Sequence, residues 1–186
     1  MGAWDTILNT IAAEFSDLTD LEQLTRVTLR LLMAAFLGGL LGLQRERVGK
    51  EAGIRTHMLV AAGSALFVFV PVQTGMDEEG ISRVLQGLLA GVGFLCAGTI
   101  LKLQDEEHVR GLTTAAGLWM TAAIGMACGL GREVTAVLSA LLALAVLSLV
   151  PRLVDLIERV VGPPRGEDKD GKAARVIASP EDAPPR

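Results

Sequence analysis

Arginines with nearby hydroxyls and one carboxylate occur in two stretches of the chain, and these side-chain types suit anion binding. The members are Arg45, Glu46, Arg47, Arg55, Thr56, Arg110, Thr113 and Thr114. Arginine offers forked donors for carboxylate or phosphate oxygens, and a helix N-terminus adds free N–H groups and the positive end of the helix dipole. If the two stretches meet, they form a polar patch for a ligand or partner. Loop pairing, for example of Arg45 with Glu46, and anchoring to lipid headgroups are the alternative.

Catalysis and metal binding receive little support from the sequence. There is no glycine-rich phosphate loop with its lysine, no His-x-x-x-His pair and no nucleophile with an identifiable base, so we expect no enzyme, no metal site and no cofactor. Acidic residues cluster at 77–79 and 105–107, where a solvated loop is one interpretation and divalent-cation sensing the other. His57 is interpreted as a polar helix-end residue, because two histidines so far apart make no metal signature.

Long apolar segments must position these side chains. Of the 186 residues, 51% are hydrophobic and only 20% are charged, which excludes a soluble enzyme, a nucleic-acid reader and a secreted disulfide scaffold. Roughly 18 to 20 apolar residues cross the hydrocarbon core of a bilayer. Five windows reach that length, and Arg30 is the one charged residue among them; they are 27–44, 56–76, 84–101, 111–131 and 134–151. The sequence therefore predicts an all-α, polytopic membrane bundle of five transmembrane helices.

The basic residues predict how this bundle is oriented, because Lys and Arg near span ends tend to stay cytoplasmic. With the N-terminus outside and the C-terminus cytoplasmic, thirteen bases face inward and only Arg26, Arg83 and Arg132 face outward. Both arginine-bearing stretches then lie on the cytoplasmic side, where they can form one patch. The expected location is the bacterial inner membrane, with the lipid bilayer as a partner and no nucleic acid.

Three segments are predicted along the chain. Residues 1–23 form an amphipathic helix in the membrane interface and its lead-in, or a helix packed on the bundle. Residues 24–161 form the transmembrane domain, and a capping box places the start of its first helix near Asp20. Residues 162–186 are rich in Gly, Pro, Asp, Lys and Ala and are predicted to be disordered. The capping box consists of Thr19 and Glu22, and the apolar face of the first helix of Trp4, Ile7, Leu8, Ile11 and Phe15.

Small residues within the spans are predicted to let helix backbones approach closely, because a bilayer offers no hydrophobic drive for helix association. The contacts lie within one chain or, alternatively, form the seam of a homodimer. Cys96 and Cys128 are interpreted as small packing residues without a disulfide. The predicted packing glycines are Gly38, Gly42, Gly87, Gly91, Gly93, Gly98, Gly125 and Gly129.

Three polar side chains are expected toward the outer side: Arg30, Arg83 and Gln86. Arg30 follows Arg26 by about one helical turn, so it can snorkel to the outer interface. A functional role inside the bundle is the alternative, because polar groups at depth usually face protein or water. Gln86 can bond to another helix or lie near the surface.

Three segments of the chain form one recognisable set: GLQRERVGKEAGIRT at 42–56, GVGFLCAG at 91–98, and RGLTTAA at 110–116 with Trp119 following. Together they resemble the MgtC/SapB family of bacterial inner-membrane proteins. The likeness covers roughly residues 26 to 150, nearly the whole membrane part. Gln44 departs from it by standing where many members have Glu, and Cys96 by replacing a common glycine.

The resemblance implies a small helical membrane regulator tied to growth in low magnesium and to virulence or intracellular survival. In the best-known members it implies restraint of the F-type ATP synthase, so that enzyme or another membrane complex is the expected partner. The chain is expected to be a short form without the soluble C-terminal domain of longer relatives. The alternative function is a transporter or channel for Mg²⁺ or a small anion, although none of the five windows contains the carboxylate that a magnesium pathway favours.

Overall fold

The computed structural model describes residues 2–14, 21–101 and 111–161, and these residues form six α-helices. The helices are α1 (Ala3–Glu14), α2 (Leu21–Arg47), α3 (Ile54–Gln73), α4 (Glu78–Leu101), α5 (Leu112–Gly129) and α6 (Glu133–Val161). Helices α2 to α6 are each long and apolar enough to cross a membrane. The prediction of an all-α chain with five spanning helices is therefore confirmed. Phe15, the predicted helix start near Asp20 and the tail 162–186 lie outside the described residues.

Tight turns connect several of the spanning helices. Helix α3 ends in a Schellman motif, in which the Met76 amide donates to the Pro71 carbonyl at 3.0 Å. Helix α5 ends in the same way, with a bond of 2.9 Å from the Arg132 amide to the Ala127 carbonyl. Gly75 and Gly131 occupy the positions with φ of 76° and 72°, which residues with a Cβ adopt at a cost. These turns connect α3 to α4 and α5 to α6 within a few residues.

Helices α3 and α5 lie at the centre of the compact unit that covers residues 1–148. Helix α3 packs against α2, α4 and α5, and α5 packs against α2 and α4 as well. A small-residue stripe on α6 joins the buried core through Ala136, Ala140 and Ala143. From residue 149 the chain forms a second unit, whose described part is the final turns of α6 with mostly exposed apolar side chains.

Glycines of α2 and α5 bring these helices directly onto the backbone of α3. A Cβ added to Gly38 would lie 2.5 Å from the His57 carbonyl oxygen, and one added to Gly42 would lie 2.6 Å from the Ile54 Cα. Gly125 and Gly129 make similarly close approaches to Ala61 and Ala65. Backbones in such contact have no room for a larger residue, so these glycines determine where the ends of α2, α3 and α5 meet.

Candidate functional site

The two arginine-bearing stretches meet at the end of the bundle where the 48–53 turn joins α2 to α3, which we call the Arg45 end. Arg45 lies in the last turn of α2 and is only 3% exposed. Its Nη2 donates a hydrogen bond of 3.1 Å to Oγ1 of Thr114, in the first turn of α5. Thr114 is itself buried. This contact joins residues 69 positions apart, one from each of the two stretches.

The guanidinium of Arg45 has no carboxylate partner among the described residues. Its bond to Thr114 is the one hydrogen bond found for the group there, and its buried Nε has no partner. A buried charge is costly unless an opposite charge or several hydrogen bonds compensate it. Arg45 is therefore a buried cation whose charge the described part of the chain leaves unbalanced.

His57 lies beside Arg45, fully buried in the first turn of α3. Its Nδ1 is 3.0 Å from the Gly53 carbonyl oxygen, so Nδ1 carries the hydrogen and donates it. Nε2 is buried without a partner, and a Cβ added to Gly117 of α5 would lie 3.8 Å from it. The sequence interpretation placed His57 at a helix end but missed its burial beside Arg45. That burial follows from the close contact of Gly38 with the His57 carbonyl, which residue spacing does not reveal.

The helix N-termini at the Arg45 end differ in how they are capped. Glu46 Oε2 accepts a hydrogen bond of 3.0 Å from the Ile54 amide, so the first turn of α3 has its own carboxylate. Helix α5 begins after Gly111, whose φ is 91° and which provides no side-chain cap. The first N–H groups of an α-helix have no partner within the helix. The start of α5, which Gly111 cannot cap, thus lies next to Arg45, whose charge no described residue balances.

The remaining members of the predicted patch lie on the surface or outside the described residues. Arg47 is exposed in the last turn of α2, and Arg55 and Thr56 are exposed in the first turn of α3. Thr113 is exposed at the start of α5. Arg110 lies outside the described residues, so its place in the patch stays a prediction.

At the opposite end of the bundle, Arg30 has a carboxylate and an aromatic ring beside it, although its buried Nε has no hydrogen-bond partner among the described residues. Its Nη1 donates a bond of 3.0 Å to the carbonyl of Gly129, one of the last carbonyls of α5. Its Nε lies 3.7 Å from Oε1 of Glu133, and its guanidinium lies 5.4 Å from the centroid of the Phe69 ring. These contacts match the role of a helix C-terminal cap, in which a cation meets the negative end of the dipole.

Arg83 and Gln86, which the sequence analysis grouped with Arg30, make local contacts on α4. Arg83 pairs with Glu79 one turn earlier, and Gln86 Nε2 is 3.5 Å from Oγ of Ser82. Both side chains are exposed. The structure shows no contact of either residue with Arg30, so the three do not form one cluster within the described part of the chain.

The two residues that depart from the family pattern both bond to a carbonyl of a neighbouring helix. Gln44 Nε2 donates to the Leu147 carbonyl of α6 at 3.1 Å. Pro151, four residues further along α6, has no N–H to offer that carbonyl, so Gln44 satisfies it instead. Cys96 Sγ donates to the Ala115 carbonyl of α5 at 3.2 Å, and both cysteines are free thiols.

The glycines of α4 differ from those of α2 and α5. A Cβ added to any of Gly87, Gly91, Gly93 or Gly98 would meet nothing within 4 Å in the described structure. Gly87 and Gly91 instead line an apolar groove of about 650 Å³ between α3 and α4. Their role in packing, including a homodimer seam, stays a prediction.

Comparison with known proteins points to one family. The MgtC family matches residues 31–156. Over 116 residues the chain is 48% identical to protein SrpB of Synechococcus elongatus, covering 56% of this chain and 64% of SrpB. Over 132 residues it is 39% identical to Escherichia coli YhiD, which is named as a candidate magnesium transporter, covering 67% of this chain and 60% of YhiD.

A third relative carries the family's name. Over 104 residues the chain is 44% identical to protein MgtC of Salmonella typhimurium, covering 56% of this chain and 43% of that protein. The matched region therefore spans less than two thirds of the length of each of these relatives. No solved structure matches the chain.

Proposed function

Because the chain belongs to the MgtC family, we propose that it is a regulatory protein of the bacterial inner membrane that acts by contact with another membrane complex. The family resemblance implies adaptation to low magnesium, intracellular survival, and the F-type ATP synthase as the complex to be restrained. The chain itself is a multi-pass membrane protein with five helices able to span.

The observation that carries the proposal is the buried charge of Arg45 at the junction of α2, α3 and α5, which no described carboxylate balances. Two unit charges of the same sign about 4 Å apart repel each other by about 4 kcal/mol at an effective dielectric constant of 20. The repulsion is twice as large when one of them is a divalent ion. A magnesium ion passing this junction would be repelled. An acidic or phosphorylated surface, in contrast, would be attracted by this charge and can contact the exposed Arg47 and Arg55 at the same end. The Arg45 end therefore suits the recognition of a partner better than the conduction of Mg²⁺.

The alternative function is a transporter, which the name of YhiD favours. Flux separates the two proposals directly. The purified chain is reconstituted in proteoliposomes, and uptake of Mg²⁺ and of small anions is followed with entrapped dyes. A regulator gives no flux above empty liposomes, whereas flux that Arg45→Gln abolishes would support the transporter.

Contact with the ATP synthase is tested in inverted membrane vesicles. Adding the purified chain should lower the rate of ATP hydrolysis by the F-type enzyme, and the complex should be recovered in gentle detergent. Arg45→Gln should lose both effects while its level in the membrane stays normal. Arg132→Gln serves as a control because this exposed arginine lies at the other end of the bundle. Unchanged hydrolysis with the wild-type chain would remove the ATP synthase from the proposal.

The proposed orientation places the Arg45 end in the cytoplasm. Lys50 lies in the exposed turn between α2 and α3 and provides a site for an introduced thiol. In Lys50→Cys, made in a background without Cys96 and Cys128, a membrane-impermeant thiol reagent should react only after the cells are opened. Reaction in intact cells would place the Arg45 end outside and contradict contact with a cytoplasmic surface.

A further inference from the structure

Helices α3 and α5 begin at the same end of the bundle, but among the described residues only α3 has a carboxylate at its N-terminus. The Ile54 amide of α3 bonds to Glu46 Oε2, whereas α5 begins after Gly111, which has no side chain to cap it. Beside α5 lies Arg45, which is only 3% exposed and has no acidic partner among the described residues. The first N–H groups of a helix and a guanidinium are both donors to anions, and here they lie side by side.

We propose that Arg45 and the first turn of α5 bind one phosphate-class oxyanion, supplied as free phosphate or as the headgroup of an anionic lipid. The oxyanion balances the charge of Arg45 and accepts hydrogen bonds from the first N–H groups of α5. Thr114 links the two groups of donors, because its Oγ1 accepts a hydrogen bond from Arg45 Nη2 and a hydroxyl that accepts one bond can also donate one.

The directions of the donors favour a phosphate over a carboxylate. An arginine fork that bonds both oxygens of a carboxylate leaves only acceptor sites in the same plane for other donors. At this site the donors come from two directions, the guanidinium on α2 and the N-terminus of α5. A tetrahedral oxyanion has enough oxygens to accept from both.

Binding is measured on the purified full-length chain in nanodiscs, with two probes that separate the sources. Inorganic phosphate is titrated into nanodiscs of phosphatidylcholine, and in a second series phosphatidylglycerol is added to the bilayer without phosphate. The readouts are the midpoint of thermal unfolding and the lipid retained in native mass spectrometry. A response to phosphate identifies the free ion, and a response to phosphatidylglycerol alone identifies the lipid headgroup; either supports the site.

Variants then locate the response. Arg45→Gln should weaken binding about tenfold or more, because a charge-assisted hydrogen bond is lost. Arg132→Gln, an exposed change of the same charge at the other end, should leave binding as in the wild type. If Arg45→Gln does not fold, Thr114→Val replaces it, with the exposed Thr113→Val as its matched control.

Two results would overturn the proposal. One is the absence of a response to both probes in the wild-type chain, which would mean that the charge of Arg45 is balanced by the protein itself. The other is equal binding by the wild type and by the folded Arg45→Gln or Thr114→Val variant. The binding assay and the ATP hydrolysis assay separate the two proposals. A chain that binds neither probe but still lowers hydrolysis loses only the anion site, and a chain that binds a probe but leaves hydrolysis unchanged loses only the regulatory function.

Discussion

The two arginines of α2 lie at opposite ends of the bundle and have opposite surroundings. Arg30 has a carbonyl of α5, the carboxylate of Glu133 and the ring of Phe69 around its guanidinium. Arg45 is more deeply buried and has one bond to a neutral hydroxyl. An arginine with a counter-charge stabilises the fold, whereas a buried arginine without one lowers its stability. This difference is the reason why we propose the Arg45 end as the functional end.

Replacing each arginine by methionine should give opposite changes in stability. Arg30→Met should lower the free energy of unfolding by about 1.5–3 kcal/mol, because hydrogen bonds to a charged group are lost at the end of α5. Arg45→Met should leave that free energy unchanged or raise it in phosphate-free nanodiscs of zwitterionic lipid, because a buried unpaired charge is removed. Denaturant titration of the purified variants measures both changes, and an equal loss in both would mean that Arg45 has a partner after all.

Replacing a packing glycine should lower the stability by a similar amount at the two ends, because the helix backbones approach equally closely at both. Gly42→Ala at the Arg45 end and Gly129→Ala at the Arg30 end should each lower the free energy of unfolding by about 1–3 kcal/mol, because both force backbones apart. Gly91→Ala is the matched control. Its Cβ enters open space, so it should stabilise α4 by up to about 1 kcal/mol.

If the free energy of unfolding falls strongly in only one of the variants Gly42→Ala and Gly129→Ala, the two ends differ in packing as well as in charge. The same denaturant titration as for the arginine variants reports all three changes. A loss in Gly91→Ala as large as in Gly42→Ala would instead indicate that a helix covers the α4 groove in the membrane.

The smallest expected effect concerns the capped terminus at the Arg45 end. Glu46→Ala should lower the free energy of unfolding by about 0.5–1 kcal/mol, because the Ile54 amide and the positive end of the α3 dipole lose their carboxylate. Glu51→Ala removes a nearby exposed acid and should change stability less. If both variants change the free energy of unfolding by the same amount, the Glu46 cap contributes no stability. The N-termini of α3 and α5 would then not differ in the way described above.

The fold followed from the sequence because the transfer of apolar segments into a bilayer outweighs every local preference. The window at 27–44 became α2, which extends at both ends to Leu21 and Arg47 because the helix is longer than the hydrocarbon core. Charged residues such as Glu22 and Arg47 therefore belong to the helix although they lie outside the window.

The site followed from the sequence only in part. Topology was sufficient to predict that the stretches around Arg45 and Thr114 come to one end of the bundle. It was not sufficient to predict their direct bond, which depends on how closely Gly38 and Gly125 let α2 and α5 approach α3. The capping role of Arg30 was missed for a related reason, since Glu133 and Gly129 lie about 100 residues further along the chain.

The most direct test compares Arg45→Gln with Arg30→Gln for growth in limiting magnesium, in a strain that lacks its own family member, with the amount of each variant in the membrane measured alongside. We expect Arg45→Gln to reach the wild-type amount but not to support growth. Arg30→Gln should support growth in proportion to a reduced amount in the membrane. Normal growth with Arg45→Gln would contradict the claim that the Arg45 end is where this protein acts.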